Sequence, residues 1–174
     1  MLIFIIGFMG SGKSHCGKTI AAYFQVPFVD LDSTIEEREK SSIRQLFDTR
    51  GETEFRKIES SVLREMVNEK NTDPSIIHGI VACGGGTPCY HENIQFMNQH
   101  GLTVWLDPIL PVLLARLEKG KAHRPLIAGL STSELELYIK NKISERTPFY
   151  KQARLHYQGD DCPIDLIKNH LSHA

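Results

Sequence analysis

The residues whose spacing carries the most chemistry are Gly7-Phe8-Met9-Gly10-Ser11-Gly12-Lys13-Ser14, directly behind the apolar run 2–6. G-x-x-x-x-G-K-[ST] between a buried strand and a helix is the P-loop pattern. Its glycines let the backbone turn tightly and approach a ligand with no Cβ in the way. Successive N–H groups and the positive end of the following helix then face one anionic group. Lys13 adds a mobile charge for the outer phosphates, and the Ser14 hydroxyl suits Mg²⁺. This is a nucleoside-triphosphate site.

Phosphoryl transfer also needs a carboxylate near the metal and another to orient or deprotonate the acceptor hydroxyl. Asp30 and Asp32 end the short run 28–32, and two residues apart on a strand they share one face. Gly84-Gly85-Gly86 ends the stretch 76–83 and admits a substrate or a γ-phosphate close to the backbone. Arg56 and Arg146 present planar forks that suit a carboxylate bidentately, but spacing alone equally allows surface ion pairs. Arg124, ahead of Pro125, reads either as an arginine finger for the phosphates or as a solvated loop charge. Together these groups describe a small ATP-dependent kinase.

Strands are predicted at 2–6, 28–32, 76–83, 102–106 and 154–157. The first lacks alternation, as a parallel strand buried on both faces should. Helices are predicted at 13–24, 34–40, 43–48, 52–69, 91–99, 108–117, 131–146 and 163–171, with Ser42 as a cap and Gly51 as an interruption. On the helix over 52–69, Phe55, Ile58, Val62 and Met66 form the inner face. Residues 71–75 read as a turn-rich loop. The segment 118–129 has no apolar periodicity and reads as a lid. Alternating strands and helices imply a parallel sheet with helices on both faces, where ligands sit at the carboxyl ends of the strands.

The 174 residues suit a single domain, and 41% hydrophobic with 24% charged residues is ordinary for a soluble globular chain. A net charge of -1 offers no basic stripe for nucleic acid. No apolar run approaches the roughly 20 residues of a membrane span. The first strand starts at Met1, leaving no room for a targeting segment. Cys16, Cys83, Cys89 and Cys162 show neither zinc spacing nor C-x-x-C, and read as reduced thiols of a cytoplasmic protein.

Over nearly its whole length the chain resembles the shikimate kinase family. The resemblance rests on GFMGSGKS (7–14), FVDLD (28–32), ETEFRKIE (52–59), ACGGG (82–86), HRPLIAG (123–129) and ERTPFY (145–150), in that order. It implies a P-loop kinase fold, a five-stranded parallel sheet of order 2-3-1-4-5, and transfer of the ATP γ-phosphoryl group to the 3-hydroxyl of shikimate. By position, the resemblance makes Ser14 a direct Mg²⁺ ligand, Asp30 its water-mediated partner and Asp32 the acceptor-binding aspartate. Arg56 and Arg146 match the pair that grips the shikimate carboxylate, and Gly84, Gly85 and Gly86 the glycines beside it. Arg124 matches a lid arginine at the phosphates and Arg116 one that stacks on adenine. Gly10, Ser11, Gly12, Lys13, Ser14 and His15 complete the ATP contacts. The implied catalytic groups are Lys13, Asp32 and Arg124, the partners are ATP and shikimate alone, and the implied assembly is a monomer.

The chain departs from the family pattern at His15, where Thr or Ser is usual, at Pro88, usually a larger aliphatic, and in a longer gap around 71–75. No C-terminal residue matches the family's adenine contact. Two other readings compete. A gluconate kinase shares the P-loop but gives no reason for paired arginines and a triple glycine. A nucleotide switch is suggested by Asp48-Thr49-Arg50-Gly51 and Asn141-Lys142-Ile143-Ser144, but the first lies at a helix end and Ser144 replaces the guanine-reading aspartate.

Overall fold

The computed structural model describes residues 1–68, 76–121, 124, 126–159 and 161–173. Every residue of β1 (Leu2–Gly7) is buried, which explains why its sequence does not alternate. Phe4 and Ile6 enter one apolar cluster, while Ile3 and Ile5 enter another on the opposite face. Each aliphatic side chain so enclosed contributes about 1.5–3 kcal/mol relative to exposure.

Around β1 the sheet also contains β2 (Phe28–Asp30), β3 (Gly79–Ala82), β4 (Gly101–Leu106) and β5 (Leu155–Tyr157). The order is β2-β3-β1-β4-β5 and every pairing is parallel, with Ile3 opposite both Ile80 and Leu102. The expected five-stranded parallel architecture is therefore observed. On one face lie α2 (Leu31–Glu39), α3 (Ile43–Asn68) and α4 (Asn93–His100), around Leu31, Phe55, Leu63, Ile94 and Met97. On the other lie α1 (Lys13–Phe24) and α7 (Ile164–Ser172), through Ile20, Ala21 and Ile167. A third cluster joins α5 (Leu110–Lys119) to α6 (Thr132–Tyr150) over Phe8 and Ile127. Parallel pairing brings all five carboxyl ends to one edge of the sheet, and the residues that follow them form the site.

Several element boundaries differ from those the sequence suggests. The second strand stops at Asp30 because the Asp30 side chain accepts from the Asp32 and Ser33 amides and caps α2. Asp32 therefore stands in the first turn of a helix, not beside Asp30 on a strand face. The third strand is confined to Gly79–Ala82, and Ile76 is exposed. The helices expected at 43–48 and 52–69 do meet at a break at Gly51 within α3, as expected, and its φ of 77° is one that only glycine adopts readily. Helix α6 runs through Pro148 to Tyr150 rather than ending near Arg146. Tyr150 is buried against Trp105, and that packing holds the last turn despite the proline. Residues 69 and 71–75, and residues 122, 123 and 125 of the expected lid, lie outside the described residues.

Candidate active site

The loop after β1 is shaped for an anion. Gly10 and Gly12 take φ values of 80° and 99°, and Gly12 leads directly into α1. Lys13 folds under the loop, its Nζ donating to the carbonyls of Gly7 at 3.0 Å and Phe8 at 2.9 Å. Burial lowers its pKa to about 8, against the partial support of Asp32. Arg116, from α5, donates through Nη1 to the Ser11 carbonyl at 3.2 Å and so braces the loop from outside. Gly12, Lys13, Ser14, His15, Arg116 and Arg124 border a space of about 310 Å³. Among the described residues, Arg124 Nη1 is buried with no hydrogen-bond partner.

At the second strand end, Ser14 Oγ donates to Asp30 Oδ2 at 2.7 Å. The other Asp30 oxygen caps α2, accepting from the Asp32 amide at 3.2 Å. A hydroxyl and a fixed carboxylate thus meet beside the phosphate loop, a set of hard oxygens that suits a small divalent cation. The half-buried Asp32 carboxyl is pushed up to about 6, first by burial and then by the negative charges of Glu59 and Asp30.

Beyond β3 the three glycines lie against charged side chains, Gly84 against both Asp32 and Glu59. A Cβ on Gly84 would lie 2.9 Å from Asp32 Oδ1, one on Gly85 3.1 Å from an Arg146 Nη, and one on Gly86 2.5 Å from an Arg56 Nη. The two arginines that spacing left ambiguous therefore converge from α3 and α6 on the same backbone turn. Arg146 also lies over the Phe8 ring at 5.5 Å. Tyr150, one helical turn on, donates to the Gly85 carbonyl at 2.6 Å and pins the turn to α6.

Two parts of the site go beyond the groups assigned from sequence, although the second shares Ser11, Gly12, His15 and Arg116 with them. Glu59 is fully buried, holds Arg56 Nη1 at 2.8 Å and accepts from the Thr87 hydroxyl. Its signal was the i, i+3 spacing to Arg56 on one helix face. The second is a space of about 320 Å³ on the far side of the P-loop, bordered by Cys16, Asp107, Pro108, Arg116, Tyr157 and Cys162 among others. It lies at the carboxyl ends of β4 and β5, where the fold rule pointed although no motif did. His15 borders both spaces and is exposed. All four cysteines are free thiols. Among the described residues no helix is long and apolar enough to cross a membrane.

Comparison with known proteins points to one family. A family model described as shikimate kinase matches residues 9–170. A shikimate kinase of Bacteroides thetaiotaomicron is 39% identical over 159 residues, spanning 91% of this chain and 87% of the relative. One from Parabacteroides distasonis is 36% identical over 172 residues, 99% of this chain and 95% of the relative. Among solved structures, a Bacteroides thetaiotaomicron shikimate kinase matches with a TM-score of 0.85 at 36% identity, covering 99% of this chain and 95% of that one. A shikimate kinase from Acinetobacter baumannii in complex with shikimate matches with a TM-score of 0.79 at 28% identity, covering 99% and 91%. By family model, by relatives and by fold, the chain belongs to the shikimate kinase family of ATP-dependent kinases.

Proposed function

We propose that this protein transfers the γ-phosphoryl group of ATP to the 3-hydroxyl of shikimate, giving shikimate 3-phosphate and ADP on the route to aromatic amino acids. The observation that carries this reading is the gathering of Asp32, Arg146 and Arg56 around Gly84, Gly85 and Gly86, with Glu59 also against Gly84. It sets two forks for one carboxylate beside one base for a hydroxyl, which is the functional-group pattern of a hydroxylated ring acid. The relative from Acinetobacter baumannii is a complex with shikimate.

In this reading the acceptor carboxylate takes paired N–H donors from Arg56 and Arg146, which fixes the ring. The acceptor hydroxyl then donates to the Asp32 carboxylate. As its oxygen attacks the γ-phosphorus and the bond to the β-phosphate bridging oxygen breaks, the proton passes to Asp32. Lys13 exchanges the Gly7 and Phe8 carbonyls for the outer phosphate oxygens, and the P-loop amides of Gly10, Ser11 and Gly12 hold the chain of phosphates in line.

Ser14 would hold Mg²⁺ directly and Asp30 through water. When bound there, the ion would neutralise phosphate charge. Arg116 and His15 border the nucleotide end, with Arg116 on the adenine side. Residues 118–129 act as a lid that brings Arg124 to the phosphates, a role supported by the buried Arg124 Nη1 that lacks a partner among the described residues. Four free thiols and a single chain carrying every named group suit a monomeric cytoplasmic enzyme.

Arg146→Lys tests the acceptor grip. An ammonium cannot reproduce the fork, so the shikimate KM should rise at least ten-fold, about 1.4 kcal/mol, with the ATP KM little changed. An unaltered shikimate KM would remove Arg146 from the acceptor site.

A further inference from the structure

The guanidinium that faces Gly86 is already occupied. Arg56 Nη1 donates to Glu59, while Nε and Nη2 both donate to Glu52 Oε1, at 3.3 and 3.1 Å. The same Glu52 oxygen accepts from the Tyr90 hydroxyl at 3.1 Å, and the Tyr90 ring lies over the guanidinium with its centroid 4.4 Å from Cζ. The two glutamates together use three of the five N–H groups, and a carboxylate that pairs with the Nε–Nη2 edge must displace Glu52.

The two glutamates are not equivalent. The Glu59 side chain is 1% exposed, and withdrawing it would leave a buried charge without its partner. The Glu52 side chain is 53% exposed and reaches water by a rotation of its own bonds. Hydrogen bonds from Arg56 and Tyr90 outweigh its partial burial and hold its pKa below the usual carboxylate range, so it is an anion at neutral pH.

We propose that Glu52 stands in for the acceptor carboxylate on Arg56 in the free enzyme, and that the acceptor binds by displacing it. Tyr90 is the positioning residue that keeps Glu52 on the Nε–Nη2 edge. The exchange of one carboxylate for another makes the contact a specificity device. An anionic acceptor replaces what it displaces, whereas a neutral polyol would leave Arg56 with an unmatched edge. This inference rests on the reading of Arg56 as a grip for the acceptor carboxylate.

The test is steady-state kinetics of the full chain with saturating ATP·Mg²⁺ and varied shikimate, comparing wild type with Glu52→Gln, Arg56→Lys and Glu52→Gln/Tyr90→Phe. Glu52→Gln removes the competing charge and should lower the shikimate KM about two- to five-fold, with the change confined to KM. A merely structural role could raise KM but not lower it. The double variant should match Glu52→Gln, because the phenol acts through Glu52; a further change of more than two-fold would overturn the role given to Tyr90. A KM for Glu52→Gln that stays level or rises, while Arg56→Lys raises it, would overturn the displacement and leave the acceptor site standing. A level KM in Arg56→Lys would instead take the acceptor carboxylate away from Arg56, and the displacement with it.

Discussion

Glu59 Oε2 accepts from Arg56 Nη1 at 2.8 Å, with side chains 1% and 10% exposed. The pair sets the guanidinium against Gly86 and supplies the negative charge that, after burial, does most to raise the Asp32 pKa. One buried carboxylate thus acts on the grip for the acceptor and on the group that would take its proton. Glu59→Ala removes one partner of a buried pair and should lower unfolding stability by roughly 3 kcal/mol. Urea denaturation with an unchanged slope would read it, and a loss below about 1 kcal/mol would mean the pair is not the support described.

Gly86→Ala places a methyl group where Arg56 Nη2 now lies, at 2.5 Å, and a guanidinium held by Glu59 has little room to retreat. The expected outcome is a rise in shikimate KM of at least ten-fold, on the order of 1.4 kcal/mol, with ATP binding intact. Kinetics with each substrate varied in turn would separate the two, and equal losses in both would point to general damage instead.

Asp32 titrates near 6 instead of the ordinary 3.8, so the folded chain binds its proton more tightly than the unfolded chain does. The sign follows: its contribution to stability is present below about 3.8 and is lost as pH rises through about 6. Asp32→Asn should therefore melt a few degrees above wild type at pH 8, with the gap closing toward pH 4. The same substitution should depress turnover by at least 100-fold while leaving ATP binding in place. In the wild type, kcat/KM for shikimate should fall below about pH 6, in step with loss of the carboxylate. A more stable but fully active Asp32→Asn would exclude it as the base.

Lys13 is held near 8 chiefly by burial under the loop. Phosphate oxygens would raise that value, so nucleotide binding at alkaline pH must draw in a proton. At pH 9, calorimetry of ATP binding in buffers of different ionisation enthalpy should report an uptake close to one proton, falling toward zero at pH 7. Lack of uptake at pH 9 would show that Lys13 does not meet the phosphates.

The parts of this site that could be read from sequence are those where residue type and short-range spacing carry the chemistry. The P-loop needs its glycines, lysine and serine within eight positions, so both its fold and its ligand class were visible. Strand order came from the family resemblance, since hydrophobic runs give strands but not neighbours. Asp30 and Asp32 were visible as a pair but misplaced, because the Asp30 cap ends the strand one residue before Leu31. Pro148 pointed to a helix end that tertiary packing of Tyr150 overrides. Arg56 and Arg146 lie ninety positions apart, and only the folded chain brings them to Gly86 and Gly85. Glu52 carried only its i, i+4 spacing to Arg56 and Tyr90 no signal, since their meeting over Arg56 depends on the turn after β3 folding back on α3.

The roles of Arg56 and Arg146 require a carboxylate-bearing acceptor, and ADP release from ATP·Mg²⁺ tests that most directly. Shikimate, gluconate, a nucleoside monophosphate and no acceptor would be compared under one set of conditions. Release that depends on shikimate alone is the predicted result. Release driven by gluconate or by the monophosphate, with shikimate inert, would keep the P-loop chemistry and contradict the roles given to Arg56, Arg146 and the glycines between them.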